Sequence, residues 1–240
     1  MFRKLLIVFV SAVVLSLAAF GGAWLVGGDK FTREFAKNDG WSFTFGEDGD
    51  NDKGPVKTRE FAIESGSQIA MEIPVELRFT RGDAPRMTVE GPSRVVDRLL
   101  WDNGRLSIDG SLHSRKGLKV TITAPEIRGL DLEAPGDVKL VGLDQDQFSL
   151  TADGAVNLDA RGKVRKLFVT ANGAGNIDLG KVEGEDATVR VDGAGDVTVG
   201  SSRLADIEIN GVGHVTLVRK PEILRSHING IGTVDHDYKD

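Results

Sequence analysis

The chain contains no cysteine. No disulfide can hold it, no thiol can act as a nucleophile, and no N-terminal Cys can carry a lipoprotein's lipid, so its stability has to come from packing. Aromatic side chains are few, at 6% of 240 residues. After Gly117 there is no Trp, no Tyr before Tyr238, and only Phe148 and Phe168, which leaves little for stacking the rings of a polysaccharide substrate. Clustered positive charge is missing as well: 30 Lys and Arg are dispersed among 36 Asp and Glu, and the formal net charge is -6. No basic face is available to neutralise phosphates, and nucleic acid is excluded as the expected partner.

Motifs that carry chemistry are equally sparse. His113, His214, His227 and His236 share no metal-ligand spacing, and no Gly-x-Ser-x-Gly elbow occurs. Asp48, Asp50 and Asp52 have the one-three-five spacing of a calcium loop, but Lys53 stands where Gly is needed and Arg59 where the bidentate Glu is needed. They read as a solvated acidic linker. No metal and no cofactor is expected.

What the sequence does contain begins with an uncharged run from Leu5 to Gly28, preceded by Arg3 and Lys4 and followed by charges from Asp29 onward. That is the order of a secretory signal. As a helix the run would cover roughly 36 Å, enough to span a hydrocarbon core of about 30 Å. Residues 1–28 are therefore read as a signal peptide, cleaved after Ala23, or as a retained membrane anchor. Positive residues on the N-terminal side direct everything after them outward, so the expected location is extracytoplasmic, in the periplasm or cell envelope. Residues 29–55 form a linker of two characters, an aromatic patch (Phe31, Phe35, Trp41, Phe43, Phe45) and an acidic, Gly-rich run from Gly46 to Pro55.

From Val56 onward apolar and polar residues alternate with period two, as in Ile69-Ala70-Met71-Glu72-Ile73 and Val75-Glu76-Leu77-Arg78-Phe79. These are half-buried strands. The spacing of apolar residues predicts one helical interruption over Pro92 to Trp101, followed by a turn at Asn103-Gly104 into Leu106-Ser107-Ile108.

After Gly117 the sequence repeats itself. Six blocks align: Ala134 to Leu140, Ala152 to Leu158, Gly173 to Leu179, Gly193 to Val199, Gly211 to Leu217 and Gly230 to Val234. Successive positions of the second glycine (136, 154, 175, 195, 213, 232) differ by 18, 21, 20, 18 and 19. Two and four residues later stand Val138, Val156, Ile177, Val197, Val215, Val234 and Leu140, Leu158, Leu179, Val199, Leu217, which make one inward face. Four and six residues earlier stand Leu132, Leu150, Ala171, Val191, Ile209, Ile228 and Leu130, Phe148, Val169, Val189, Ile207, which make a second. Leu143, Val164, Val182, Leu204 and Leu224 supply a third apolar point in each return segment. A propeller blade needs about 40 residues, twice this period, whereas coils of about 20 residues stacked about 4.8 Å apart pair their backbones and align like side chains.

The fold class expected is all-β, a parallel β-helix of about six coils over residues 56–240, with a strand-rich N-terminal module containing one short helix. Gly136, Gly154, Gly173, Gly175, Gly193, Gly195, Gly211, Gly213, Gly230 and Gly232 mark its corners, where positive φ is expected. Asn172, Asp192, Asn210 and Asn229, three residues before the second glycine, are expected to stack as a side-chain ladder that satisfies corner backbone groups.

The Gly-Ala-Gly-Asn-Ile-Asp-Leu and Gly-Ala-Gly-Asp-Val-Thr-Val blocks, with the Val95 to Ile108 segment ending in Asn-Gly-Arg-Leu-Ser-Ile, resemble the bacterial putative auto-transporter adhesin head GIN domains. The resemblance covers about Phe61 to Val234. Family members commonly show Gly-Ser-Gly where this chain has Gly-Ala-Gly, Gly-Val-Gly or Gly-Ile-Gly, and the first two blocks keep only Gly136 and Gly154. What the resemblance implies is a right-handed β-helix exported to the bacterial envelope, with no catalytic residues to transfer.

Chemistry could sit only on outward faces, where Asp137, Asp178, Asp196 and His214 are the candidates. A carbohydrate-active hydrolase or lyase would need paired carboxylates among them and long insertions to wall a cleft. The near-uniform spacing leaves no room for such walls. The function expected is a non-catalytic scaffold or adhesin-like surface for an envelope or surface ligand. Charges in the tail from Val234 to Asp240 are expected to discourage head-to-tail filaments.

Overall fold

The computed structural model describes residues 55–110 and 117–238. The N-terminal hydrophobic run, the aromatic patch, the acidic linker up to Gly54 and His113 lie outside the described residues. Among the described residues no helix is long and apolar enough to cross a membrane.

The repeats form a β-solenoid of about five turns. Four long strands, β9 (Gly136–Ala152), β10 (Ala155–Ala171), β11 (Ala174–Val191) and β12 (Ala194–Ile209), each run almost a full turn and pair in parallel with the next. The shorter β13 (Val212–Leu217), β14 (Ile223–Ile228) and β15 (Ile231–His236) complete the stack. Each long strand bends at a register irregularity, for example between Arg161 and Gly162 and between Leu179 and Gly184, because a bulge turns the chain without ending the pairing.

Two features of the repeat differ from the sequence alignment. Val156, not Gly154, stands opposite both Gly136 and Gly175. The corner positions are then 136, 156, 175, 195, 213 and 232, with steps of 20, 19, 20, 18 and 19, and six corners bound five turns. A shift of two leaves every side chain on its own face, so alternation alone cannot detect it. The core columns become Val138, Leu158, Ile177, Val197, Val215 and Leu140, Ala160, Leu179, Val199, Leu217 on one side. Leu132, Ala152, Ala171, Val191, Ile209 and Leu130, Leu150, Val169, Val189, Ile207 line another. All of these are buried. Of the third apolar points, Leu143, Val164 and Val182 are buried; in the next turn Ser201 and Ala205 take the inward places, Leu204 is half-buried, and Leu224 is exposed.

The corner glycines answer to contact rather than to dihedral angle. Only Gly175 among the ten has positive φ, at 140°. A Cβ on Gly193 or Gly211 would instead lie 2.0 Å from the carbonyl oxygen of Gly173 or Gly193, one turn below. Those oxygens accept hydrogen bonds of 2.9 Å from the Ala194 and Val212 N–H groups, so they cannot retreat without breaking the stack. The carbonyl of Ala152 accepts from both Asn172 and Gly173 N–H, and that of Ala171 from both Asp192 and Gly193 N–H. The corner backbone is thus satisfied by the neighbouring turn, and the Asn/Asp side chains are free to bond to one another.

At the N-terminal end the predicted strand-rich module with one helix is present, but two of its strands enter the stack. β1 (Val56–Ala62), β4 (Arg86–Pro92) and β7 (Leu118–Ala124) pair antiparallel in that order. β3 (Val75–Arg81) lies between β7 and β9, while β2 (Gln68–Met71) lies between β6 (Arg105–Ile108) and β8 (Gly129–Leu132). The β2–β3 layer, earliest in sequence, is therefore sandwiched between one layer made by β6 and β7 and another made by β8 and β9. Arg105 bridges all three, bonding Glu72 at 2.6 Å and Glu133 at 2.5 Å.

The helix, α1, is only Ser93–Val96. Leu99, Leu100 and Trp101, expected to continue it, belong to β5 (Leu99–Asp102), paired with β6 across a two-residue turn. Asn103 and Gly104 take φ of 48° and 80°, the left-handed pair that closes a tight hairpin, and this turn overrides the helical spacing. Trp101 Nε1 donates to the Ala62 carbonyl at 3.1 Å and its ring faces Phe61, so this end is covered. At the other end His236 of β15 stacks over Leu217, but apolar side chains remain open: Ile223, Leu224 and Ile228 of β14 and Ile231 of β15 are all exposed.

Replacing Gly211 by Ala should destabilise the domain by about 3 kcal/mol, as overpacking against backbone does. Gly180→Ala, where a Cβ would meet side-chain atoms alone, the Thr198 methyl at 3.1 Å, the Asp178 carboxylate at 3.2 Å and a Val218 methyl at 3.5 Å, should cost much less. Urea melts of the two variants check this, and equal midpoints would contradict the contact account.

Candidate functional site

Parallel in-register stacking turns each outward position into a column, so side chains a turn apart in sequence become neighbours. One such column reads Asp137, Asn157, Asn176, Asp196, His214 and Thr233. Asn157 Nδ2 donates to Asp137 at 3.1 Å, and His214 Nδ1 lies 3.1 Å from Asp196 Oδ1. The Asp196–His214 contact expected from the stacking is present, on an exposed surface. Asp178 stands in the adjacent column, above Asp159 and below Thr198, where it accepts from the Gly180 N–H at 2.9 Å.

Asp178 stands one turn above Asp159 and diagonally one turn below Asp196. Asp137 and Asp196 are three turns apart, roughly 14 Å at the spacing of neighbouring strands. A glycosidase pair needs about 5–9.5 Å. Among the described residues no group of His, Asp or Glu is arranged to hold a metal ion.

A second outward face carries the ladder. Asn172 Nδ2 donates to Asp153 at 2.6 Å, Asn210 to Asp192 at 2.7 Å, and Asn229 to Asn210 at 3.0 Å. Asp153, which the alignment left out, joins because the register moves by two. The run restarts at Asp192, since a carboxylate accepts but cannot donate. Arg190 sits beside it, with Nε on Asp192 at 2.7 Å and Nη1 on Glu208 at 2.9 Å. The hydrogen bond from Arg190, followed by that from Asn210, holds the Asp192 carboxyl below its usual range.

Next to the ladder lies a shallow recess of about 230 Å3 lined by Phe168, Thr170, Thr188, Arg190, Asp206 and Glu208 among others. Phe148 is buried in the core, but Phe168 points outward and is 38% exposed. The signal for this was available: Leu167 and Val169 are inward residues, so Phe168 between them must face out. A larger groove of about 610 Å3 runs along the return segments, with Arg81, Asp144, Asp146, Lys163, Arg165 and Glu183 in its walls. Its charges are mostly consumed by one another: Arg81 pairs with Asp144, Arg165 with Asp146 at 3.2 Å, and Lys163 with Glu183 at 3.6 Å.

A model of the family described as putative auto-transporter adhesin, head GIN domain, matches residues 67–221. The chain belongs to this family. A solved structure of a putative adhesin from Bacteroides fragilis is similar at 25% identity, with a TM-score of 0.61, covering 76% of this chain and 97% of its own. A putative adhesin from Parabacteroides merdae is similar at 15% identity and a TM-score of 0.41, over 77% of this chain and 97% of its own. No curated protein matches. The family and the Bacteroides structure carry the names of adhesins, not of enzymes, and this GIN-domain solenoid is adhesin-like in that sense.

The low pKa of Asp192 fixes the sign of a pH effect. Its contribution is complete above the unfolded value of about 3.9 and is lost as pH falls through the lower folded value. Asp192→Asn, which mimics the protonated side chain, should therefore melt below the wild type at pH 7 and converge with it as pH falls below the usual carboxylate range. Thermal melts across that range check it; a gap independent of pH would contradict it.

Proposed function

We propose that this protein is an exported, non-catalytic component of the bacterial cell envelope or surface, whose solenoid presents its outer faces to a surface or envelope ligand. The observation that carries this reading is the geometry of those faces. Every turn closes in 18 to 20 residues, so no long insertion walls off a cleft, and polar groups lie in flat ladders rather than converging on one point. Family membership supports it, because the family carries the name of an adhesin. The uncharged run from Leu5 to Gly28 supports export. The corner glycines serve the stacking and not the ligand. Charges at Lys57, Arg59 and Glu60 in β1, at Asp235 in β15 and at Asp237 just after it favour a soluble domain over filaments.

The full chain should associate with intact bacterial envelopes while releasing no products from their polysaccharides. Co-sedimentation of the protein with envelopes, with reducing-sugar and unsaturated-product assays on the supernatant, checks this. Turnover abolished by Asp196→Ala would establish the enzymatic alternative, a polysaccharide hydrolase or lyase, and an absence of association would remove the binding role. Sedimentation velocity of the full chain should show no growth of fibres.

A further inference from the structure

The outward column through Phe168 reads Gly129, Ser149, Phe168, Thr188, Asp206 and Arg225. A phenyl ring thus stands between a Ser below and a Thr above, with no second ring against it among the described residues. A single exposed aromatic is ordinary on a protein surface; this one stands apart because it lines a recess together with Thr170, Thr188 and Arg190. The core has no claim on this ring, since Leu167 and Val169 fill the inward places beside it and are buried. The neighbouring column supplies Thr170, Arg190 and Glu208.

We propose that this face is a carbohydrate-binding site for an uncharged hexose or N-acetylhexosamine unit of a surface glycan. The site deepens, and rests on, the reading that the outer faces bind a surface ligand. Phe168 is the stacking platform, because an aromatic face complements the apolar C–H face of a pyranose ring. Beside and above it stand the groups that read sugar hydroxyls: the Thr170 and Thr188 hydroxyls, which donate and accept, and, two turns above and in reach of the next sugar unit, the Asp206 and Glu208 carboxylates, which accept from hydroxyls. Arg190 is already clamped by Asp192 and Glu208, so presenting its remaining N–H groups costs little ordering. Asp206 has no hydrogen-bond or ion-pair partner among the described residues and is the carboxylate free to take a ligand hydroxyl.

Charge selects within the class. The one cation lining the recess, Arg190, is already shared between Asp192 and Glu208 and the chain is net acidic, so a uronic-acid polymer finds no uncommitted positive charge there. Size selects as well: about 230 Å3 is below the range of about 300–1,000 Å3 typical of enclosing pockets. One ring sits on Phe168 while the rest of the glycan stays in solvent, and binding gains strength by repetition along a polymer or across many copies. The return-segment groove is the weaker candidate, since a polyion there must break three existing ion pairs.

Affinity electrophoresis of the full chain in gels containing a β-1,3-glucan, an α-mannan or alginate, with calorimetry on the N-acetylglucosamine hexamer, tests the site. Expected is retardation or heat with at least one neutral glycan and none with alginate. Phe168→Ala should weaken it about fivefold to tenfold, Phe168→Leu should do the same while keeping apolar bulk, and Phe168→Trp should retain it. Asp206→Asn should weaken neutral-glycan binding without restoring alginate binding to the wild-type neutral level. Melting temperatures of all four variants show whether each is folded. The proposal is overturned by binding that Phe168→Leu leaves intact, by alginate as the preferred ligand, or by no neutral glycan binding at all. In that last case, envelope association that survives in the Phe168 variants leaves the broader binding role standing, and its absence in the wild type removes both.

Discussion

Adjacent turns of this solenoid meet at an oxygen atom that has two claims on it. The carbonyl of each first corner glycine accepts the N–H of the residue one turn above, and it lies where a Cβ of the glycine above would have to go. At that first corner position, backbone pairing can continue only if the upper residue has no side chain. The long strands, their parallel register and the alignment of core columns all depend on that approach, because a corner held apart would break pairing on the two sides it joins. Among the corner glycines, freedom at positive φ contributes only at Gly175; at the others the want of a side chain is what counts.

Once turns stack in register, the molecule has little choice about where chemistry can reside. Inward columns are apolar apart from Ser201, whose buried hydroxyl has no partner. Outward columns convert sequence neighbours twenty apart into surface neighbours, and so produce ladders: Asn on Asp, His on Asp, Arg between Asp and Glu. Ladders are flat and repetitive. They suit recognition of a surface or a repeating polymer better than the enclosure of a single reacting bond.

Much of this was legible in the sequence, and the parts that were not share a physical origin. Period, inward faces and the Asn/Asp column follow from alternation and spacing. The two-residue displacement at Gly154 was invisible because strand periodicity is blind to even shifts, and it concealed Asp153 as the foot of the ladder. The helix expected over Pro92 to Trp101 stops at Val96, because Leu99 to Trp101 satisfies helical spacing but the Asn103-Gly104 turn commits those residues to a hairpin. Phe168 was countable as an aromatic but became a site only when register placed Thr188 and Asp206 in its column. The insertion of β2 and β3 between later layers has no local signature at all, since it depends on which strands pair across the stack.

That insertion changes how the domain responds to load. A simple solenoid can shed its end turns one at a time, because each contacts only its neighbours. Here a pull on the chain before Val56 first reaches β1 and then a layer clasped on both sides by strands that come later in sequence. Peeling that layer away requires parting β3 from β7 and β9 together, with parallel strands sliding lengthwise so that many hydrogen bonds resist at once. The N-terminal end therefore behaves as a locked strap, and the open C-terminal turn is the end from which the coil would come undone.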